Sequence, residues 1–240
     1  MAARRPVTIY ADLVSQPSRA LVVFCRAAGI PHEVKITRIA RGEHRTPEFR
    51  KLNPLAQLPV AQLWDGEEQW ALAESHAILK QLCLHPEVPE HWYPESPRVR
   101  GAVDAALDVH HTRIRRGCAV WAFAKVMGPL GKLPVPPKEV VDWHGGMARR
   151  AFKDMELMLE AAGEGRFVAG TAEPTIADLS IACELQQLEA VPGADDEMRP
   201  TPRVLQWMSD VKGGLQPHWD EVGSVLTKVR AAAEAQGLRA

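Results

Sequence analysis

Four prolines, Pro86, Pro89, Pro94 and Pro97, crowd around Trp92-Tyr93 and separate two stretches of chain whose apolar residues repeat with different periods. Proline fixes φ and lacks the amide hydrogen that a helix needs, so no helix is expected to run through this segment, and it should be stiff. Domains commonly span about 100–150 residues, so a 240-residue chain interrupted in this way is expected to form two. The boundaries expected are residues 6–85, a linker at 86–97, and residues 98–240.

Before the linker, strand and helix signals alternate. Val7, Ile9, Ala11 and Leu13 repeat with period two, and a Ser-Gln-Pro-Ser turn leads into a helical stretch that stops at Gly29. Val34, Ile36 and Ile39 suggest a second strand. Thr46-Pro47 has the form of an N-cap followed by a first-turn proline, opening a short helix that ends before Asn53-Pro54. Residues 59–64 and 69–72, joined through Asp65-Gly66, read as a hairpin, and a third helix is expected from about Ser75 to Leu84. The order is β-α-β-α-β-β-α.

After the linker the period becomes helical. Val99, Val103, Ala106 and His110 form one stripe, and Ala151, Met155, Met158 and Leu159 form another. Glycine and proline interrupt the pattern at Gly128-Pro129-Leu130-Gly131, at Pro134-Val135-Pro136-Pro137 and at Val191-Pro192-Gly193. Thr175-Ile176-Ala177-Asp178 reads as a capping box on a buried helix, a structural motif. The expected fold class is an α/β N-terminal domain followed by an all-α domain.

Charge narrows the partners. Lys and Arg total 29 against 30 Asp and Glu, which argues against a polyanion-binding surface, so no nucleic acid is expected. The longest apolar run, Ala20 to Cys25, is far short of the roughly 18 residues of a membrane span. Met1-Ala2-Ala3-Arg4-Arg5-Pro6 leads straight into a strand pattern, leaving no room for the core of a signal peptide, and Gly237-Leu238-Arg239-Ala240 carries no lipidation or retention signal. The cytoplasm is the expected compartment. Cys25, Cys83, Cys118 and Cys183 lie far apart in apolar helical contexts, so buried inert thiols are expected, with neither disulfides nor a metal.

Four blocks are specific in combination: residues 10–20 (YADLVSQPSRA), 53–59 (NPLAQLP), 74–79 (ESHAIL) and 110–116 (HHTRIRR). Taken in this order, they resemble a theta-class glutathione transferase, from about Val7 into the C-terminal helices. The resemblance implies a thioredoxin-like domain joined to a helical one, a homodimer, glutathione as cosubstrate and a small electrophilic or hydroperoxide second substrate.

Ser15 stands where the first strand gives way to a helix. Spacing alone reads it as an N-cap, while the resemblance makes its hydroxyl, in the positive field of the helix start, the stabiliser of the glutathione thiolate. Thioredoxin-like oxidoreductases carry C-x-P-C at this turn. Here both sulfur positions are serine, Ser15 and Ser18, which excludes disulfide exchange through it.

Ser75 is likewise an N-cap candidate, and the resemblance gives it the γ-glutamyl carboxylate, with Glu74 facing the adjoining ammonium group. Glu74 alone reads as a helix-start carboxylate. Leu58-Pro59 resembles the cis-proline turn whose backbone pairs with the cysteinyl unit. His44 and Gln57 match positions near the glycyl carboxylate, although a lone histidine is usually just solvated. Relatives often have lysine where this chain has Gln57, so weaker glutathione binding is expected. Gln16 matches a further contact position, or is a polar first-turn residue.

In the second domain His111 and Arg115 lie four apart on one helix face, beside Arg116 and after Asp104 and Asp108. They form either a solvated ion-pair face or, by resemblance, a border of the second-substrate cleft where Arg115 attracts an anionic group. Two functions are therefore in play: a transferase that activates glutathione for conjugation or peroxide reduction, and a non-catalytic binding or protein-interaction module on the same body. A hydrolase with Ser15 as nucleophile lacks the Gly-x-Ser-x-Gly elbow, and no spacing makes His76 or His111 its base.

Overall fold

The computed structural model describes residues 5–240. Met1–Arg4, on which part of the reading of the N-terminus rests, lie outside the described residues. The first domain contains β1 (Val7–Ala11), α1 (Gln16–Ala27), β2 (His32–Ile36), α2 (Pro47–Leu52), β3 (Val60–Asp65), β4 (Glu68–Ala73) and α3 (Ser75–Leu82). Its sheet runs β2-β1-β3-β4, with β1 parallel to β2 and antiparallel to β3, and β3 antiparallel to β4. Ile9 pairs with Val34 on one side and Ala61 on the other. Ile9, Ala11, Val60 and Ala61 are fully enclosed, so the two central strands hold the core and project their ends toward the turn at Ser15.

Three expected boundaries move. Leu13 has left the strand, because Asp12 closes a turn by accepting Ser15 N–H on its carbonyl at 2.8 Å and Val14 N–H on its carboxylate at 3.1 Å. Ile39 is not in β2 but in a 3₁₀ turn, Ile39–Arg41, tethered by the 2.8 Å bond from its N–H to Asp12. Ser75 is the first residue of α3, and the cap is Glu74, held at φ +67°. The Thr46 cap forms as expected, accepting from Phe49 N–H at 3.2 Å, and Leu58-Pro59 is cis.

The proline segment packs against the first domain. Trp92 is buried and meets Phe24 edge to face at 5.3 Å, while Pro97, the last proline, opens the next helix. That helix, α4 (Pro97–Val109), continues through a π turn at His110–Ile114 into α5 (Arg115–Ala122), then through a second at Phe123–Met127 into α6 (Gly128–Leu130). The π turns were not foreseen. A hydrophobic pattern does not mark the one extra residue per turn that they insert, and such turns are frequent at functional sites.

The remaining helices are α7 (Lys138–Ala161), α8 (Ile176–Gln186), α9 (Ala194–Met198), α10 (Pro202–Gly214) and α11 (His218–Ala235). At Gly117 a β-carbon would lie 2.5 Å from Ala148 N, so glycine is what lets α5 approach α7 so closely. Every residue of α8 is buried, because the helix is packed by α4, α5 and α10 of its own domain and by α1 and α3 of the first. Its capping box is as expected: Thr175 accepts from Ala177 N–H, and Asp178 accepts from Thr175 N–H at 2.9 Å. Asp178 also takes hydrogen bonds from Val168 N–H and Trp207 Nε1–H, both 2.9 Å, which satisfies a fully buried carboxylate.

Cys25, Cys118 and Cys183 are buried and Cys83 is half-buried, and burial pushes their thiols up, to about 12 for Cys25, Cys83 and Cys183. No helix among the described residues is long and apolar enough to cross a membrane.

Candidate functional site

The turn between β1 and α1 faces two adjoining cavities that share Ser15, Gln16, Ile39 and Arg115. One, of about 470 Å³, is polar. Its wall brings together Ser15, Gln16, His44, Gln57, Leu58, Pro59, Glu74, Ser75, His111 and Arg115, that is, every residue for which the sequence suggested a role, from five separate stretches of chain. It adds Asn53, Ala56 and His110, which the sequence did not single out. The second cavity, about 430 Å³, is largely apolar, with Val14, Ala119, Phe123, Met127, Leu130, Leu133 and Val229 on its walls.

Ser15 occupies the N-cap position of α1 with extended backbone (φ −79°, ψ 124°), yet its hydroxyl makes no capping hydrogen bond. The first-turn amides of a helix have no intrahelical acceptor, and their positive end lies at this position. A hydroxyl that is free to donate therefore sits in a field that favours an anion. Ser18, at the other sulfur position of the thioredoxin-like turn, is fully buried.

Around the polar cavity, Asn53 shapes the loop before the cis-proline: its amide donates to the Gln57 carbonyl at 3.0 Å, and its Oδ1 accepts from Leu55 N–H at 3.1 Å. His44 is buried rather than solvated, with Nδ1 unpartnered. Burial first, then Arg45, holds its imidazole below the ordinary value, so it is neutral near pH 7. Gln57 and Glu74 are exposed on the rim, and Ser75 is half-buried.

The Gln16 side chain, on the polar cavity's wall, is engaged between the two domains. It is 3% exposed, donates to the Ser180 carbonyl of α8 at 2.8 Å and accepts from Arg115 Nη1–H at 2.8 Å, so it bridges the domains. Arg115 is not a free cation either. The same nitrogen donates to Glu184 Oε2 at 2.8 Å, and Glu184 is wholly buried. Among the described residues, Asp12, Arg115 and Glu184 are the only charged ones on the apolar cavity's wall, and Asp12 is engaged by two backbone amides. That wall offers an anion no unpaired positive charge. Arg116 is exposed and lies over the Trp143 ring at 5.4 Å.

Glu184 also ends a histidine chain. Its Oε2 is 3.4 Å from His110 Nε2, and His110 Nδ1 is 2.9 Å from His76 Nε2. The contact at His110 Nε2 is a close approach rather than a well-formed hydrogen bond, but the adjacent carboxylate favours the tautomer with the proton on Nε2, in which Nδ1 accepts from His76. Burial raises the Glu184 carboxyl, but His110 and Arg115 outweigh that and hold it below its usual value. Burial, then His110, His111, Lys80 and Arg115, pulls His76 down to about 3; burial also lowers His110 despite Glu184.

Both rings are thus neutral when folded, whereas an unfolded histidine titrates near 6.5. The stability this pair contributes is complete above about pH 6.5 and is lost as pH falls toward 3. His76→Gln keeps the donor to His110 without the titration. Its melting temperature should therefore fall less than wild type between pH 7 and pH 4.5, and equal slopes would contradict the assignment.

The signal for Glu184 was present in the sequence as an acid directly after the stretch Leu179–Cys183 of α8, away from the capping box that accounts for Asp178. His110 was legible only as a stripe position, because its partners come from two other helices.

Comparison with known proteins agrees with the geometry. The family described as glutathione S-transferase, N-terminal domain, matches residues 15–84. Glutathione S-transferase T1 of Arabidopsis thaliana is 36% identical over 228 residues, 92% of this chain and 89% of that protein. Human glutathione S-transferase theta-2 is 35% identical over 207 residues, 86% and 81% of the two chains. Among solved structures, a human theta-class enzyme in complex with the glutathione conjugate of 1-menaphthyl sulfate superposes with a TM-score of 0.83 at 30% identity, over 98% of this chain and 93% of that one. Human theta-2 in complex with glutathione gives 0.80 at 31% identity, over 97% and 92%.

Proposed function

The chain belongs to the theta-class glutathione transferases and is an enzyme of that family, and from this premise we propose that Ser15 activates glutathione by donating a hydrogen bond to its thiolate. The observation that carries the reading is the unspent Ser15 hydroxyl at the start of α1, on the wall common to the polar and apolar cavities. A helix cap would use that hydroxyl on the backbone. A binding module would have no use for it there.

In this reading glutathione lies in the polar cavity. Its γ-glutamyl carboxylate meets Ser75 at the start of α3 and its ammonium group meets Glu74. The cysteinyl backbone pairs with Leu58 before the cis-proline, and the glycyl carboxylate approaches His44 and Gln57. Neutral His44 and uncharged Gln57 offer hydrogen bonds rather than full charges, which keeps binding of that end weak.

The thiol loses its proton to solvent, and the thiolate attacks an electrophile held in the apolar cavity. With carbon electrophiles a C–S bond forms as the leaving group departs with its electron pair. With an organic hydroperoxide the sulfur attacks the terminal oxygen, the O–O bond breaks with its electron pair leaving on the alkoxide, which is protonated to the alcohol, and the glutathione sulfenic acid condenses with a second glutathione to give the disulfide and water. Proximity and a lowered thiol pKa are what the protein supplies. The matched charges on the apolar wall favour neutral electrophiles. Two copies pair, the first domain of one against the helical domain of the other.

Incubation with glutathione and a neutral alkyl or aryl halide, with conjugate formation followed directly, tests the reading. Catalysis that S-alkyl glutathione competes away is expected. Glutathione binding without turnover of either a halide or an organic hydroperoxide would leave a scaffold.

A further inference from the structure

We propose that Arg19 is a positioning residue for this reaction: its buried guanidinium grips the turn that carries Ser15 and adds the positive potential that favours a thiolate there. The inference rests on the Ser15 reading above.

Arg19 is 0% exposed, and no carboxylate among the described residues forms an ion pair with it. Its hydrogen bonds all go to backbone carbonyls: Nη1 donates to Leu13 O and to Val14 O, both 3.1 Å, and Nη2 to Cys183 O, 3.1 Å. Its own amide donates to Ser15 O at 3.2 Å. One residue thus holds three successive carbonyls, those of Leu13, Val14 and Ser15. The Leu13 and Val14 oxygens, the negative ends of their peptide dipoles, are directed toward the buried guanidinium, while the Ser15 oxygen is held by the Arg19 backbone amide at the helix start. A turn released from this grip could present a carbonyl oxygen to the sulfur, where it would repel a thiolate.

Burying a cation without a carboxylate partner is costly, and an apolar side chain of similar volume would fill the space without that cost. Core packing therefore does not account for an arginine here. Two carboxylates act on Arg19 through space without forming an ion pair with it: Glu184, which is matched by Arg115 at 2.8 Å, and Glu189. The third carbonyl, Cys183 O, belongs to α8, as does Ser180 O, which Gln16 holds at 2.8 Å. Ser15 is consequently fixed against the helical domain from both sides, next to the apolar cavity where the electrophile would lie.

The test compares wild type, Ser15→Ala, Arg19→Lys and Arg19→Gln by titrating the thiolate absorbance of bound glutathione against pH, together with kcat and the KM for glutathione. Lysine keeps a charge but cannot span three carbonyls, and glutamine loses the charge as well. Arg19→Lys should raise the bound thiol pKa by about one unit and lower kcat about tenfold near neutral pH, with the KM for glutathione within about twofold of wild type. Arg19→Gln should shift the titration further.

The position of the titration is read rather than its amplitude. Measurements at saturating glutathione and low temperature, where ligand binding supports the fold, keep a weakened variant informative. A residue that only stapled the domains together would reduce stability and active fraction while leaving the pKa in place. If Ser15→Ala moves the pKa and both Arg19 variants leave it at the wild-type value, the Arg19 proposal is overturned and the Ser15 reading stands. A wild-type thiol of ordinary pKa would overturn both.

Discussion

Replacing Ser15 with alanine should lower kcat/KM for conjugation by about a hundredfold while leaving glutathione affinity nearly unchanged. The size follows from the chemistry asked of the hydroxyl. A cysteine-like thiol has a pKa near 8.5, and lowering it by about two units requires about 2.7 kcal/mol of preference for the anion. Removing one preorganised donor to an anion costs other enzymes roughly 2.7–4 kcal/mol, a comparable amount. The remaining contacts proposed for glutathione come from α3, from the loop before β3 and from His44, so binding should survive. Ser15→Cys would place a bulkier, poorer donor at the same point and should not restore the rate. An alanine variant with wild-type kcat/KM across pH 6–8 would mean that the hydroxyl is merely adjacent.

The second large effect concerns stability. Glu184→Ala should destabilise the fold by about 3 kcal/mol, because it removes one member of a buried ion pair and leaves Arg115 and His110 facing an apolar helix without their acceptor. In a chain of this size that corresponds to a fall of roughly 6–12 °C in melting temperature. Arg115 retains 30% side-chain exposure and can partly rehydrate, which places the expectation at the lower end for buried pairs. Glu184→Gln keeps the shape and one acceptor oxygen, and should lose about half as much. Thermal unfolding followed by circular dichroism measures both. A melting temperature for Glu184→Ala within 2 °C or so of wild type would show that the pair contributes nothing net.

The first domain was legible because its signals are local. Thr46-Pro47 caps a helix by its own hydroxyl, Gly29 ends one through its positive φ, and alternation in residues 7–11 marks a buried central strand. The candidate site was legible as a set of motifs. Their convergence on one cavity wall depends on the sheet bringing residues 15, 58 and 75 to the same end, which no single window shows. What could not be read were interactions that cross between domains. Gln16 looked like a ligand contact, and its side chain is spent on Ser180 and Arg115. Arg115 looked like an anion hook, and it is matched by Glu184 from a helix sixty-nine positions further on. His44 looked like a solvated histidine because its cover comes from folding. Arg19, quoted within a motif, gave no sign that its side chain turns back on the carbonyls preceding Ser15. Each of these depends on a partner distant in sequence, and periodicity carries no information about such partners.

The most direct measurement of the central claim is the pKa of glutathione's thiol while bound to this protein, read from thiolate absorbance as pH is raised, for wild type and for Ser15→Ala. A bound thiol about two units below its free value, returning most of the way in the alanine variant, is the predicted result. Saturable binding of glutathione with the same thiol pKa in both proteins would contradict it.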